Sequence, residues 1–114
     1  MEKFREIIDS YLSNYNTFKK GKISFYCDYG ELVFYKRKDN ECIVHGIYIF
    51  PEYRQQGFCR DILHYLIDQS TDKFKYVCVQ SVISKILYNY LLRFTYKNKK
   101  FTNTKSGFVY AINY

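Results

Sequence analysis

A chain of 114 residues is long enough for one domain with a modest core and too short for two. It carries 18 basic and 11 acidic side chains, a net charge of +7, which favours an anionic ligand or a nucleic-acid surface without choosing between them. The excess of Lys, Asn, Ile, Phe and Tyr is typical of AT-rich genomes, including those of viruses and phages.

Four cysteines are isolated from one another along the chain: Cys27, Cys42, Cys59 and Cys78. No pair has the spacing of zinc ligands, so we predict no metal site and expect reduced thiols in a cytoplasmic protein. The first residues, MEKFREIIDSYL, are amphipathic and contain acids, unlike a signal peptide. No apolar run is long enough to cross a bilayer, so we expect no membrane partner.

The first part of the chain predicts a helix followed by a β-meander. Apolar residues at helical spacing indicate a helix over residues 3–16. Alternating residues indicate strands over 22–28 and 31–37, joined by the turn Asp28-Tyr29-Gly30. A third strand is predicted over 41–50.

The second part of the chain predicts alternating helices and strands. A helix over 57–69 leads to a buried strand over 74–80, and a closing strand over 107–113 pairs with residues 95–102. Between them lies a helix over 83–94, whose predicted apolar side consists of Ile83, Ile86, Leu87, Tyr90, Leu91 and Phe94. Residues 1–114 thus form one α/β (α+β) domain whose sheet is antiparallel at first and gains a parallel step through a helix.

The segment between the third strand and the next helix has the composition of an anion site. Pro51 ends strand pairing because it has no N–H. The helix begins near Gly57, and its first turn exposes N–H groups at the positive end of the helix dipole. Gly57 allows a ligand to approach closely, and Arg54 and Arg60 add full positive charges. These features favour phosphate, and an ordinary strand-to-helix turn is the alternative.

Two stretches carry a family resemblance. The first is Arg54-Gln55-Gln56-Gly57-Phe58-Cys59, which fits the pattern Gln/Arg-x-x-Gly-x-Gly/Ala except that Cys59 replaces a smaller residue. The second is SVISKILY over 81–88, which fits Asn-x-x-Ala-x-x-Leu-Tyr at Leu87-Tyr88 and departs from it at Ser81 and Ser84. Over about residues 41–94 the chain therefore resembles the GCN5-related N-acetyltransferases, the GNAT superfamily.

This resemblance implies a mixed, mostly antiparallel sheet with a splayed parallel strand pair, flanked by helices. It also implies direct transfer of an acetyl group from acetyl-CoA to an amine. The resemblance implies that the pantetheine arm binds Ile47, Tyr48 and Ile49. The other cofactor-binding residues that it implies are Arg54, Gln55, Gln56, Gly57, Phe58, Cys59, Arg60 and Ser81. Tyr88 would be the general acid that protonates the departing thiolate; the alternative is a helix tyrosine with a buried ring and an exposed hydroxyl.

His45 is the candidate general base, because the attacking amine must be neutral. Two-residue alternation predicts Ile43, His45 and Ile47 on one face, just before the pantetheine segment. Serotonin-type N-acetyltransferases of this superfamily carry a histidine on this strand, and an unperturbed imidazole titrates near neutrality. A structural histidine is the alternative, and Glu41 and Asp28 are weaker candidates for the base.

Two functions of different classes stay open. The first is an enzyme that takes acetyl-CoA and an unidentified amine acceptor. The second is a non-catalytic GNAT-fold protein that binds a protein or nucleic acid, with tyrosines among lysines that stack on single-stranded bases. Residues 54–57 and the Leu87-Tyr88 pair favour the enzyme, and the altered residues at 59, 81 and 84 favour the binding protein. The net charge disfavours a polycationic acceptor.

Overall fold

The computed structural model describes residues 2–112 as a mixed α/β fold with a mostly antiparallel sheet, as predicted. Its elements are α1 (Glu2–Ser13), β1 (Gly21–Cys27), β2 (Gly30–Lys36), β3 (Glu41–Ile49), α2 (Phe58–Ser70), β4 (Tyr76–Val79), α3 (Lys85–Arg93), β5 (Thr95–Tyr96), β6 (Lys99–Lys100), β7 (Thr102–Thr104) and β8 (Gly107–Ala111). Six strands form one sheet in the order β1-β2-β3-β4-β8-β7. Within it β3 and β4 are parallel, and the other neighbouring strands are antiparallel.

Pairing of the closing strand differs from the prediction. β8 lies between β4 and β7, so its outer partner is Thr102–Thr104, and of the predicted partner segment 95–102 only Thr102 belongs to it. The chain before β7 instead forms the separate β5–β6 hairpin, because Lys97 and Asn98 both adopt the left-handed backbone of a tight hairpin turn (φ 53° and 62°). Lys97 Nζ also pairs with Asp68 Oδ1 of α2 at 2.8 Å, which attaches the hairpin to that helix. Residue 113 of the predicted strand lies outside the described residues.

All three helices pack on one face of the sheet. α1 and α2 present apolar residues at the spacing of a helical stripe, and those they bury are Phe4, Ile7, Ile8, Tyr11, Leu12, Ile62, Leu63, Leu66 and Ile67. Leu91 and Phe94, from α3 and its end, join the same core. At its centre the Tyr11 ring stacks on Phe34 of β2, with ring centroids 3.9 Å apart. The core therefore fixes α2 over the parallel strand pair that it connects.

Within residues 2–112 the opposite face of the sheet carries no helix. Ile43 and Cys78 are neighbours there on β3 and β4, and both are buried. Beside them Glu41 forms a two-pronged ion pair with Arg37, with Nε–Oε1 at 2.8 Å and Nη2–Oε2 at 3.0 Å. Burial raises the pKa of the Cys78 thiol to about 12, so it stays neutral near pH 7.

α3 is shorter than predicted and has a narrower apolar side. It begins at Lys85 because Ser84 caps it, with Ser84 Oγ accepting a hydrogen bond from Leu87 N at 3.3 Å. Ile83 therefore precedes the helix and is 97% exposed, and Ile86 is 84% exposed. The prediction that these two isoleucines lie on the apolar side of the helix, against the core, is therefore wrong. The residues that do pack inward are Leu87, Tyr90, Leu91 and Phe94.

A β-bulge in β3 changes which side chains face the helices. The register between β2 and β3 shifts at His45, which is an extra residue without a partner on β2. Before the shift Ile43 pairs with Tyr35 on the face without helices, and after it Ile47 pairs with Leu32 in the core. The prediction that Ile43, His45 and Ile47 share a face is therefore wrong, because strict alternation fails at the bulge.

The four cysteines are free thiols, as predicted. No helix in the described part of the chain is long and apolar enough to cross a membrane. Across residues 2–112 no cluster of three or more His, Cys, Asp and Glu side chains is arranged to hold a metal ion.

Two core tyrosines provide a matched test of stability. The Tyr11 hydroxyl is buried without a hydrogen-bond partner in residues 2–112, whereas the Tyr15 hydroxyl donates to Lys38 O at 2.6 Å. Burial raises the pKa of Tyr15 to about 12, so the hydroxyl stays protonated as the donor. Tyr11→Phe removes an unsatisfied group and should leave the free energy of unfolding unchanged or raise it by up to about 1 kcal/mol.

Tyr15→Phe should lower the free energy of unfolding by about 1 kcal/mol, because Lys38 O loses its donor. Urea unfolding of both variants at pH 7 makes the comparison. A larger loss in Tyr11→Phe than in Tyr15→Phe contradicts this account of the core.

Candidate functional site

β3 and β4 separate at one end of the sheet. Their last paired residues are Val44 and Val79, and the final backbone hydrogen bond between the two segments runs from Gln80 N to Val44 O at 2.9 Å. Beyond it β4 ends, whereas β3 continues to Ile49 in pairing with β2. Among the described strands, none pairs with this last part of β3 on its other edge.

The open edge of β3 presents the backbone groups of Ile47 and Ile49. Phe50 N donates to Tyr29 O at 2.9 Å, so Phe50 faces β2. Because the direction of the backbone N–H and C=O groups alternates along a strand, those of Tyr48 point towards β2 and those of Ile47 and Ile49 point away from it. The predicted pantetheine segment therefore presents the backbone N–H and C=O groups of residues 47 and 49 at this edge, while Tyr48 contributes only its side chain.

Arg54 occupies part of this open edge. Its Nε donates to Ile49 O at 2.8 Å, and its guanidinium lies 5.4 Å from the centre of the Tyr48 ring. Arg54 therefore folds back onto β3. A ligand that pairs with Ile49 O must first displace this side chain.

The turn before α2 leaves backbone N–H groups available to an anion. Gln55 and Gly57 adopt left-handed backbone conformations (φ 63° and 81°), and no side chain at the helix start caps the first-turn N–H groups. Arg60 folds back over the turn, so that its Nη2 would lie 2.8 Å from a Cβ added to Gly57. The N–H groups, the helix dipole and this guanidinium favour negative charge, and the carboxylate of Asp61, 3.3 Å from Arg60 Nε, offsets part of that charge.

Cys59 fills space in the core and not in the turn. Its side chain packs against the core cluster, and burial raises the pKa of its thiol to about 11. At neutral pH the thiol is therefore neutral and a poor nucleophile. The side chain of Cys59, where the family pattern has a smaller residue, thus lies on the inner side of α2.

His45 and Ser81 face each other where the two strands separate. Ser81 Oγ lies 3.5 Å from His45 Nε2, and Ser81 has a left-handed backbone (φ 55°) two residues after the end of β4. The other ring nitrogen, His45 Nδ1, is buried without a hydrogen-bond partner in residues 2–112. The bulge on one strand and the backbone turn after the other bring this pair together.

Ser81 and Tyr88 line one open cavity of about 400 Å³. Tyr88 Oη accepts a hydrogen bond from Asn103 Nδ2 of β7 at 2.9 Å, and its ring packs edge-on against Phe108. Because the oxygen accepts this bond, its own hydrogen remains available to a ligand. Asn103 was not predicted as a site residue, because its position depends on the pairing of β7 with β8.

The predicted site residues fall into two groups in the structure. Ser81 and Tyr88 line the cavity, and His45 contacts Ser81. Residues 54–57 form the turn before α2 and residues 58–60 form its first turn, and none of them lines that cavity. The Tyr88 hydroxyl is bonded to Asn103 of β7 and shares the cavity lining with Ser81. Ile47, Tyr48 and Ile49, in the last part of β3, lie between these two groups along the chain.

Comparison with protein-family models gives no match, and comparison with curated protein sequences gives no significant match. The assignment of function therefore depends on the residues and geometry of this chain.

Proposed function

We propose that the chain is an acetyltransferase with a GNAT-like fold, which transfers the acetyl group of acetyl-CoA to an amine. The observation that supports this most is the separation of β3 and β4 beyond Val44 and Val79. It leaves an unpaired strand edge that leads from a polar cavity to an uncapped helix N-terminus. A long cofactor with an amide-bearing arm and a pyrophosphate matches these features in order.

The cofactor is held at two places. Its pyrophosphate binds the N–H groups of residues 55–60, with the Arg60 guanidinium as a counter-charge. Its pantetheine arm pairs with the backbone of Ile47 and Ile49, as an added strand pairs with a sheet edge. Binding displaces Arg54 from Ile49 O, and the freed guanidinium is then able to pair with the phosphates.

Acyl transfer takes place in the cavity. The amine nitrogen attacks the thioester carbonyl carbon, the carbon–sulfur bond breaks, and Tyr88 gives its proton to the departing sulfur. The nitrogen releases its extra proton to water, and the phenolate regains one from solvent. Phenols are protonated at neutral pH, and the hydrogen bond from Asn103 orients this one.

The charge of the cavity bears on the acceptor. Within residues 2–112, Lys105 is the one charged residue that lines the cavity, and no side-chain carboxylate of these residues lines it. A nearby cation disfavours an ammonium group and so favours the neutral amine that attacks. This agrees with an acceptor that is not a polycation.

Gly57→Glu should abolish CoA binding while the protein stays folded. The substitution adds negative charge and forces a side chain into a left-handed backbone beside Arg60. Isothermal titration calorimetry with CoA, and with ATP as a probe that lacks the pantetheine arm, measures the loss. Gln56→Glu is the matched control, because it places the same charge on the preceding exposed residue without backbone strain.

The control should weaken binding by a smaller factor than Gly57→Glu does. Equal affinity in wild type and Gly57→Glu contradicts the anion site. Absence of CoA binding by the wild-type protein overturns the proposed function.

Tyr88→Phe should lower kcat by roughly a hundredfold or more and leave the affinity for CoA and the melting temperature nearly unchanged. The substitution removes one exposed oxygen and keeps the ring against Phe108. The assay is release of the CoA thiol from acetyl-CoA in the presence of a panel of primary amines. Tyr90→Phe, on the inward side of the same helix, serves as the control and should keep its activity. Full activity of folded Tyr88→Phe would show that another group is the acid.

A second candidate function is binding of single-stranded nucleic acid on the face of the sheet without helices. Tyr26 and Tyr48 are 71% and 47% exposed there, and exposed rings are able to stack on bases. Both pair across the strands with Glu31, which lies between them and repels phosphates. This carboxylate makes the nucleic-acid function the weaker of the two proposals.

Fluorescence polarisation with a labelled oligothymidine tests the second candidate. We expect only weak, salt-sensitive binding, with a Kd of about 10⁻⁵ M or higher, as for non-specific contacts. Binding in the nanomolar range that Tyr26→Ala and Tyr48→Ala both abolish would instead make this face the functional site.

A further inference from the structure

We propose that the Ser81 hydroxyl, held in place by His45, donates a hydrogen bond to the carbonyl oxygen of the bound thioester. In this position it stabilises the oxyanion that forms when the amine attacks. The proposal rests on the acetyl-CoA function proposed above. It gives His45 a positioning role in place of the general-base role predicted from the sequence.

The surroundings of His45 indicate which ring nitrogen carries the proton. Nδ1 is buried and has no hydrogen-bond partner in residues 2–112, whereas Nε2 lies 3.5 Å from Ser81 Oγ. A buried N–H without an acceptor is rarer in proteins than a buried acceptor without a donor. The tautomer with hydrogen on Nε2 is therefore favoured, and in it Nε2–H donates to Ser81 Oγ.

This tautomer directs the Ser81 hydrogen away from His45. A serine oxygen that accepts one hydrogen bond still has its own O–H to donate. Ser81 is exposed and lines the cavity, and in the described residues the side-chain contact of its hydroxyl is with His45. Its O–H is therefore available to a ligand in the cavity, and Nε2 has no free lone pair with which to act as a base.

The position of the pair suits a thioester carbonyl. His45 and Ser81 follow directly after the last residues that join β3 and β4, at the end of the open edge where the pantetheine arm terminates. Tyr88 lines the same cavity and has its own hydrogen to donate. The cavity is thus lined by two hydroxyl donors, each hydrogen-bonded to a neighbouring side chain. During acyl transfer, two atoms of the thioester gain negative charge, namely the carbonyl oxygen and the sulfur. Ser81 donates to the carbonyl oxygen, and Tyr88 donates to the sulfur.

Infrared difference spectroscopy of bound acetyl-CoA, labelled with ¹³C at the acetyl carbonyl, tests the proposal without knowledge of the acceptor. A hydrogen bond to the carbonyl oxygen polarises the C=O bond and moves its stretching band to lower frequency. The wild-type protein should show such a band. Ser81→Ala and Ser81→Gly should lose it while acetyl-CoA binding, measured by calorimetry, is retained. Ser81→Gly suits the left-handed backbone and so guards against misfolding in Ser81→Ala.

Controls separate the roles of the two residues. Ser106→Ala removes another serine hydroxyl from the same cavity and should leave the low-frequency band unchanged. His45→Ala should weaken or broaden the band, and His45→Gln, which keeps an N–H donor at similar reach, should restore it.

Each outcome has one meaning. A band that is unchanged in both Ser81 variants overturns the role of Ser81. A band that is lost in the Ser81 variants but unchanged in His45→Ala overturns the positioning role of His45. Failure of the wild-type protein to bind acetyl-CoA overturns the acetyltransferase function, and the Ser81 proposal with it.

Discussion

The hydrogen bond from Gln80 N to Val44 O is the last link between the two parallel strands, and the backbone on either side of it drives them apart. On β3 the extra residue His45 shifts the register, so the strand continues along β2 with its other edge free. After β4 the left-handed backbone of Ser81 turns the chain away towards α3. This divergence brings His45 and Ser81 face to face and leaves the edge of β3 at Ile47 and Ile49 without a neighbouring strand among those described.

Packing on one face of the sheet holds the anion-binding turn beside the free edge. α2 begins at Gly57 without a side-chain cap, which costs roughly a few tenths of a kcal/mol relative to a capped helix. Its inward residues, Ile62, Leu63, Leu66 and Ile67, each contribute roughly 1.5–3 kcal/mol by burial, so the core outweighs that cost several times over. The helix start is therefore able to keep its N–H groups free for a ligand.

Local patterns in the sequence were enough to predict the meander, α2 and β4. Turn residues and alternation act over a few positions, so they identify β1, β2 and the transition from β3 to α2. The errors arose where distant parts of the chain decide the outcome. Gly46 follows His45, and a glycine inside a strand is a local signal for a bulge, but the face of Ile47 depends on its pairing with Leu32. Asn103 acts on Tyr88 only because β7 pairs beyond β8.

The order of pairing along the chain has a kinetic consequence. β1, β2 and β3 pair with their sequence neighbours, whereas β4 reaches β3 only after α2, and β8 reaches β4 only after α3 and a hairpin. Loop closure costs more entropy for distant contacts, so we expect the meander to form early and the β4–β8–β7 half to dock late. The contact between His45 and Ser81 lies on the boundary between these two parts of the sheet. We therefore expect local opening along that boundary to separate His45 from Ser81 while the meander stays folded.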